Sequence, residues 1–552
     1  MMAKHLHIFR FIPFLGGIIF IFGSLHHCAF SQKSRFEDRF WDIQHYVFHL
    51  RLSDSHNLIQ GEARIHTKIL QACTTFSLDL VKKQATGKGM LVSKVSMDGR
   101  PLRFEHKGEV LEIFSSEKAF LPGLQTFTIH YEGIPADGLV ISQNKYGERT
   151  FFGDNWPERA RHWLPCVDHP SDKATCEFII RAPAHYRVVA NGQLQQDSLV
   201  PEGQRLSHWR CEQPLPTKVM VIGVARFVID TLATTPLPIQ SWVYPQDQRA
   251  GFQDMKAAPQ IMSFFTQKIA PYPFDKLYNV QSTTRYGGME NAGNIFYDEN
   301  AITGQNTMEA LLAHEIAHQW FGNTVSEADW PHLWLSEGFA TYLTHVYMGQ
   351  QYGQEAFQKR LDDDRSQVIY YARLHPQNPV VDTTGPDPKD LLTANSYQKG
   401  AWILHMLREE VGEEAFWKGL QKYYSSFRFG NATSQDFAQI METISGKSLG
   451  QFFRQWLYQP GVPILDLSWE HVAETGLLRI ALQQSQKGTS AWELPLALDL
   501  YYPNRKEAQR VVLPMSEKKQ EFWIETPVAP FKIVLDPKTQ LLFERGKVQK
   551  SP

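Results

Sequence analysis

The chain reads as an α+β protein of several domains, and three observations predict it. Short alternating runs fill the first part, such as Ala63-Arg64-Ile65-His66-Thr67-Lys68-Ile69 and Tyr186-Arg187-Val188-Val189-Ala190, broken by the turn pairs Asp98-Gly99 and Asn191-Gly192. Alternation of this kind places every second side chain on one face of a strand, so a β domain is expected. From about residue 240 to 460 the apolar period lengthens to that of a helix, with Ile403, Leu404 and Leu407 marking one face and a late helix over Leu449 to Gln459. After Pro460-Gly461-Val462-Pro463 the alternation returns in Leu478-Arg479-Ile480-Ala481-Leu482 and Leu496-Ala497-Leu498-Asp499-Leu500, as expected of a small C-terminal β-sandwich.

The expected divisions follow: 1–31 an export signal, 32–237 an N-terminal β domain, 238–460 a mixed α/β domain, and 461–552 the C-terminal β-sandwich. At 552 residues and 43% hydrophobic content the chain can bury large cores. A formal net charge of −2 argues against nucleic acid or an anionic membrane as partner. Lys4 and Arg10 precede an apolar stretch from Phe11 to Phe22, and Ala29-Phe30-Ser31 places small residues where a signal peptidase cuts, before Gln32. Export to a periplasm or the exterior is the expectation, with no stable membrane insertion after cleavage; an uncleaved anchor is the alternative. Removing that segment leaves Cys73, Cys166, Cys176 and Cys211, an even count compatible with one or two disulfides or with free thiols. Asn431-Ala432-Thr433 fits a glycosylation sequon. The sequence carries no signal for oligomeric state.

Chemistry concentrates in His314-Glu315-Ile316-Ala317-His318. With 3.6 residues per turn, His314 and His318 fall on one face of a helix, and both imidazoles can reach one ion. The segment from Met308 to Phe321 has no internal Pro or Gly and stops at Gly322-Asn323, so a helix is expected there with the histidines in its interior. Leu333-Trp334-Leu335-Ser336-Glu337-Gly338-Phe339-Ala340-Thr341-Tyr342-Leu343 has the periodicity of a second helix and offers Glu337 as third ligand. Two imidazoles and one carboxylate suit one zinc ion per chain and leave a position for water, whose pKa zinc lowers towards ~7. Glu315 is the natural acceptor of that water's proton.

Four motifs together resemble the M1 family of zinc aminopeptidases, the gluzincin group that includes aminopeptidase N and leukotriene A4 hydrolase. They are Gly287 to Asn291 (GGMEN), His314 to Asn323 (HEIAHQWFGN), Trp334 to Ala340 (WLSEGFA) and Ser396 to Leu407 (SYQKGAWILHML). The segment Ala160 to Ala174 resembles the family's N-terminal domain. The resemblance implies a saddle-like N-terminal β domain and a thermolysin-like catalytic domain. It also implies that Glu290 holds the substrate's free α-amino group beside a strand of Gly287, Gly288, Met289 and Asn291, and that Tyr397 stabilises the oxyanion. The implied substrates are peptides with a free N-terminus.

Two departures stand out. Where many relatives carry Gln or Glu reaching into the first subsite, this chain has Asp154, a candidate second contact for the substrate amine. Nothing after Leu541 reads as the large helical domain of several relatives, so none is expected and the cleft is expected to be more open. The competing readings are an epoxide hydrolase of the leukotriene A4 hydrolase type, a zinc endopeptidase and a non-catalytic peptide binder. Glu290 argues against the endopeptidase, and the full set of ligands, base and tyrosine argues against the pure binder.

Overall fold

The computed structural model describes residues 39–550 apart from 117, 386, 489 and 504. The expected signal segment, 1–31, lies outside the described residues. The N-terminal part is β-rich, as its alternation predicts. Its largest sheet has eight strands, and Trp41–Arg51 at its centre runs parallel to Ala174–Pro183 and antiparallel to Ile59–Ile69. Tyr46, Phe48 and Leu50 point inward on alternate positions, while the residues between them are less buried. A four-stranded sheet contains Arg149–Gly153 beside Ile222–Ala225, and every residue of the latter is buried because both of its faces are covered.

A five-stranded sheet joins this part to the helices. Its order is Val228–Ala233, Ile239–Val243, Leu277–Ser282, Asn294–Asp298 and the edge strand Gly288–Met289. The strand Val228–Ala233, which precedes the expected division at 237, is hydrogen-bonded into this sheet. The sheet's two faces serve different cores. Leu277, Ile295 and Tyr297 pack with the helices, whereas Tyr278, Val280 and Phe296 pack with the N-terminal β core.

The helices are α1 (Gln248–Asp254), α2 (Ala258–Lys268), α3 (Glu309–Ala317), α4 (Trp334–Tyr352), α5 (Gln354–Leu374), α6 (Gly400–Val411), α7 (Glu413–Phe427) and α8 (Ser434–Ser445). A final short helix, Gly450–Phe453, runs on into a π turn over Arg454–Tyr458, matching the expected late helix. Helices α4 and α6 touch backbone to backbone. A Cβ on Gly338 would sit 2.8 Å from the Gly400 backbone, so only glycine permits this approach. Seven strands follow in two sheets, one of four strands around Leu477–Gln484 and one of three around Leu494–Tyr501. Their inward residues Leu478, Ile480, Leu496 and Leu498 share one continuous core with the helices, sealed by Trp456 against Trp492 at 4.6 Å between ring centroids.

Cys73, Cys166, Cys176 and Cys211 are buried free thiols, with Cys176 opposite Cys211 across two strands. The sequon asparagine has its amide committed: Asn431 Nδ2 donates to the carbonyls of Pro170 and Glu327. Among the described residues no helix is long and apolar enough to cross a membrane.

Candidate active site

The expected helix over Met308 to Phe321 is shorter than its sequence suggests. Helix α3 ends at Ala317, which leaves His314 within it and makes His318 its C-cap, still in helical geometry and bonded from its N–H to the His314 carbonyl. The turn that follows has a reason. Gly322 adopts φ +123°, and a Cβ there would lie 2.5 Å from Ser336 Oγ and 3.0 Å from His318 Nδ1. Turning at this point brings Ser336 Oγ and the Phe321 carbonyl each to 3.1 Å from His318 Nδ1 and fixes the ring, so that Nε2 faces the cleft.

Helix α4 supplies Glu337 from its first turn. Its Oε2 lies 3.4 Å from His314 Nε2 and 3.3 Å from His318 Nε2, and the two imidazole nitrogens are 3.1 Å apart. These three atoms are electron-pair donors crowded together in a buried place, an arrangement that calls for a cation. Ligands about 2.05 Å from a tetrahedral centre lie about 3.3 Å from one another, so the triangle fits zinc. Among the described residues it is the sole trio of His, Cys, Asp or Glu so arranged. Burial alone would lower the His318 imidazole, but the facing carboxylates, Glu337 foremost, push it up to about 10. Burial works against the Glu337 charge, yet the two imidazoles hold its carboxyl well below the usual range. A bound divalent ion would take over the role of that proton.

Glu315 and Glu290 share this cleft, and burial raises both carboxyls, that of Glu315 well above its ordinary value. The edge strand explains its own glycine: a Cβ on Gly288 would lie 2.3 Å from Glu315 Oε1, whereas around Gly287 there is open space. Gly288 therefore makes room for the Glu315 side chain. Glu290 is 4% exposed and its Oε1 has no hydrogen-bond partner, while its backbone carbonyl accepts from Gln319 Nε2 at 2.8 Å and Asn323 Nδ2 at 2.6 Å. Tyr397 sits in a π turn, Asn395–Lys399, that α4 and α6 pin in place, and its ring stacks on His314 at 6.1 Å. Burial, with the Glu337 charge, raises its phenol well above 10, so it carries its proton.

These groups line one cavity of about 60 Å³ with Gly288, Met289, Trp156, Tyr286 and Leu392. Larger hollows of about 640 and 520 Å³ lie elsewhere, and neither brings a metal-ligating trio together. Of the expected site residues, Gly287, Asn291 and Asp154 lie outside the lining. Asp154 is fully buried, with Oδ1 2.5 Å from Arg159 Nη2, and Asn291 is likewise fully buried. Sequence reasoning missed Trp156, Tyr286 and Leu392 as walls, and Gln319, Asn323 and Ser336 as supports; of the supports, Gln319 and Asn323 stand inside HEIAHQWFGN.

Comparison with known proteins places the chain in a family. The model of the Peptidase family M1 domain matches residues 253–456, and that of the Peptidase M1 N-terminal domain matches 43–219. The chain belongs to peptidase family M1. Its M1 relatives include "Probable aminopeptidase 1" of Saccharolobus solfataricus, 26% identical over 68% of this chain and 49% of that protein. "Glutamyl aminopeptidase" of Sus scrofa is 28% identical over 66% of this chain and 41% of its own length. "Tricorn protease-interacting factor F2" of Thermoplasma acidophilum is 27% identical over 74% and 53% respectively. The chain thus spans about half the length of the curated relatives it matches.

Proposed function

We propose that this M1 chain is a zinc-dependent aminopeptidase, removing the first residue of peptides that have a free N-terminus. One observation carries the reading: the buried, unpartnered Oε1 of Glu290 opens on the same small cleft as the His314, His318 and Glu337 triangle. A buried carboxylate oxygen without a donor is costly, and a substrate ammonium relieves that cost. Internal peptide segments have no such charge, so the site selects chain ends. The aminopeptidase names of the relatives support the same reading, and the Lys4 to Ser31 segment supports export.

His314 Nε2, His318 Nε2 and Glu337 Oε2 would hold the zinc, which when bound supplies a Lewis acid and an activated water. Glu315 takes the proton of the attacking water on its carboxylate and delivers it to the leaving amine. The Tyr397 hydroxyl donates a hydrogen bond to the carbonyl oxygen as negative charge develops there. Glu290 holds the ammonium, so that the first carbonyl, and not a later one, reaches Glu315 and Tyr397. Trp156, Tyr286, Met289 and Leu392 keep water from the first residue.

The test is a panel of aminoacyl-nitroanilides beside their N-acetylated forms, with and without chelator. Free-amine substrates should be cleaved and blocked ones spared, with chelation stopping the reaction and zinc restoring it. Equal cleavage of both forms would overturn the proposal.

A further inference from the structure

Asp154, the candidate second contact for the substrate amine, is fully buried and bonded to Arg159 through Oδ1, while its Oδ2 accepts no hydrogen bond. Its Oδ1 is 2.5 Å from Arg159 Nη2, and its Oδ2 lies 4.0 Å from Arg285 Nε. Arg159 is itself buried, donating from Nε to the Trp156 carbonyl at 2.6 Å and reaching Asp137 Oδ1 at 3.4 Å. Two guanidinium groups face two carboxylates here, so the cluster is balanced in charge without a substrate ammonium.

Asp137 completes the group. Its two oxygens take Arg285 Nη2 at 2.5 Å and Nη1 at 3.2 Å, a forked pair, while Oδ1 also accepts from the Gly138 N–H at 2.8 Å. Gly138 in turn packs on Arg159: a Cβ there would lie 1.9 Å from the Arg159 carbonyl, and the Gly138 carbonyl accepts from the Asp154 N–H at 2.6 Å. Asp137, Asp154 and Arg159 are therefore one rigid block of the N-terminal part. Arg285 belongs to the other side, three residues before Gly288. Between them Tyr286 stands edge-on to Trp156 at 6.1 Å, and both rings line the cleft.

We infer that the forked Asp137–Arg285 pair is a clasp that positions the Gly288 to Glu290 strand, so that binding of the substrate's first residue depends on an ion pair that never touches it. This rests on the aminopeptidase reading for its consequence but not for its geometry. Asp137 and Arg285 are positioning residues, and Asp154 with Arg159 is the buried base on which the clasp is mounted. The Arg285 side chain is 52% exposed, so the pair adds little to global stability. Its effect falls on where the two-residue edge strand sits, and a shift of a few tenths of an ångström there moves the Glu290 carboxylate relative to Glu315.

Asp137→Ala, Arg285→Ala and the double variant test this with two readouts on the full-length protein. The first is amide hydrogen exchange in peptides covering residues 283–291, which should rise in both single variants while melting temperature stays within about 2 °C. The second is hydrolysis of aminoacyl-nitroanilides: KM should rise about three- to tenfold with kcat within about twofold, and the double variant should match either single one. Arg285→Lys should recover part of the KM. Unchanged exchange in 283–291 would overturn the clasp, as would a loss of kcat with KM unmoved, the mark of a merely structural role. If the wild-type protein spares free-amine substrates, the functional reading falls, and the exchange measurement still judges the clasp.

Discussion

The two faces of the cleft are built on different principles. On the helical face His314 and Glu315 come from the last turn of α3 and His318 is its C-cap, Glu337 comes from the first turn of α4, and the supporting contacts of Ser336 and the Phe321 carbonyl span at most 18 residues. On the strand face Gly288 and Met289 form only a two-residue edge. The residues on either side of that edge are held by side chains from elsewhere in the chain: Glu290, through its carbonyl, by Gln319 and Asn323, and Arg285 by Asp137 at a separation of 148 residues. A helix carries its own hydrogen bonds and can place charged groups rigidly; a two-residue strand cannot, and borrows part of its position from Gln319, Asn323 and Asp137. The helical face therefore suits bond-breaking and the strand face suits recognition, with the prediction that their variants separate into kcat and KM effects.

The largest effect tests the helical face. Glu315→Gln should lower kcat by about 10³–10⁴-fold with KM little changed and zinc content, measured by atomic absorption, retained. Loss of the metal in that variant would mean that Glu315 shapes the ligand triangle, and the division of labour would lose its clearest case. Tyr397→Phe comes next, at about 10²–10³-fold in kcat, because it removes one donor aimed at developing charge. A rise in KM of similar size would instead place Tyr397 among the recognition groups. Glu290→Ala should cost about 10- to 100-fold in kcat/KM, mostly through KM, which is the range for a charge-assisted hydrogen bond. If kcat carried the whole loss, the two faces would be working as one.

The same contrast explains what could be seen in the chain beforehand. The helical face was legible because an i, i+4 spacing on a helix of 3.6 residues per turn is a rule of short range, and Glu337 as candidate third ligand followed from a second apolar period. The two-residue edge Gly288–Met289 was legible through its motif alone, and even then the reason for Gly288 was not: what it makes room for is Glu315, which lies 27 residues on in sequence and beside it only after folding. The helix end at Ala317 was missed because Gly322 and Ser336 cooperate across a loop to turn the chain early. Asp154 could be noticed as a departure, but its partner Arg159 could not be told from any other arginine. A β-rich N-terminal part, central helices and a strand-rich C-terminal part all followed from periodicity. The polar seam between the first two did not, since Lys173, Lys218 and Lys276 reach carbonyls and a carboxylate across it by purely tertiary contacts.

That seam offers the smallest test, and it concerns the strand face alone. Lys276 is 2% exposed, and its Nζ donates to the Ala190 carbonyl and Asn294 Oδ1, each at 2.6 Å, tying the N-terminal part to the strand that pairs with Gly288–Met289. Burial lowers its ammonium from 10.5 to about 7. Between pH 7 and 10.5 the unfolded chain then binds the proton and the folded one does not. The folded state is consequently penalised most below pH 7, and stability rises as pH climbs through that window. Lys276→Met abolishes this slope. Urea midpoints at pH 6, 7, 8 and 9 should show the variant's stability relative to wild type falling by about 2 kcal/mol between pH 7 and 9, with little change between pH 6 and 7. Parallel curves would mean that the ammonium stays charged throughout, held by its two oxygens and by the faces of Trp209 and Tyr278 at 4.5 and 4.9 Å. Zinc content should stay constant across the series, because nothing on the helical face leans on Lys276.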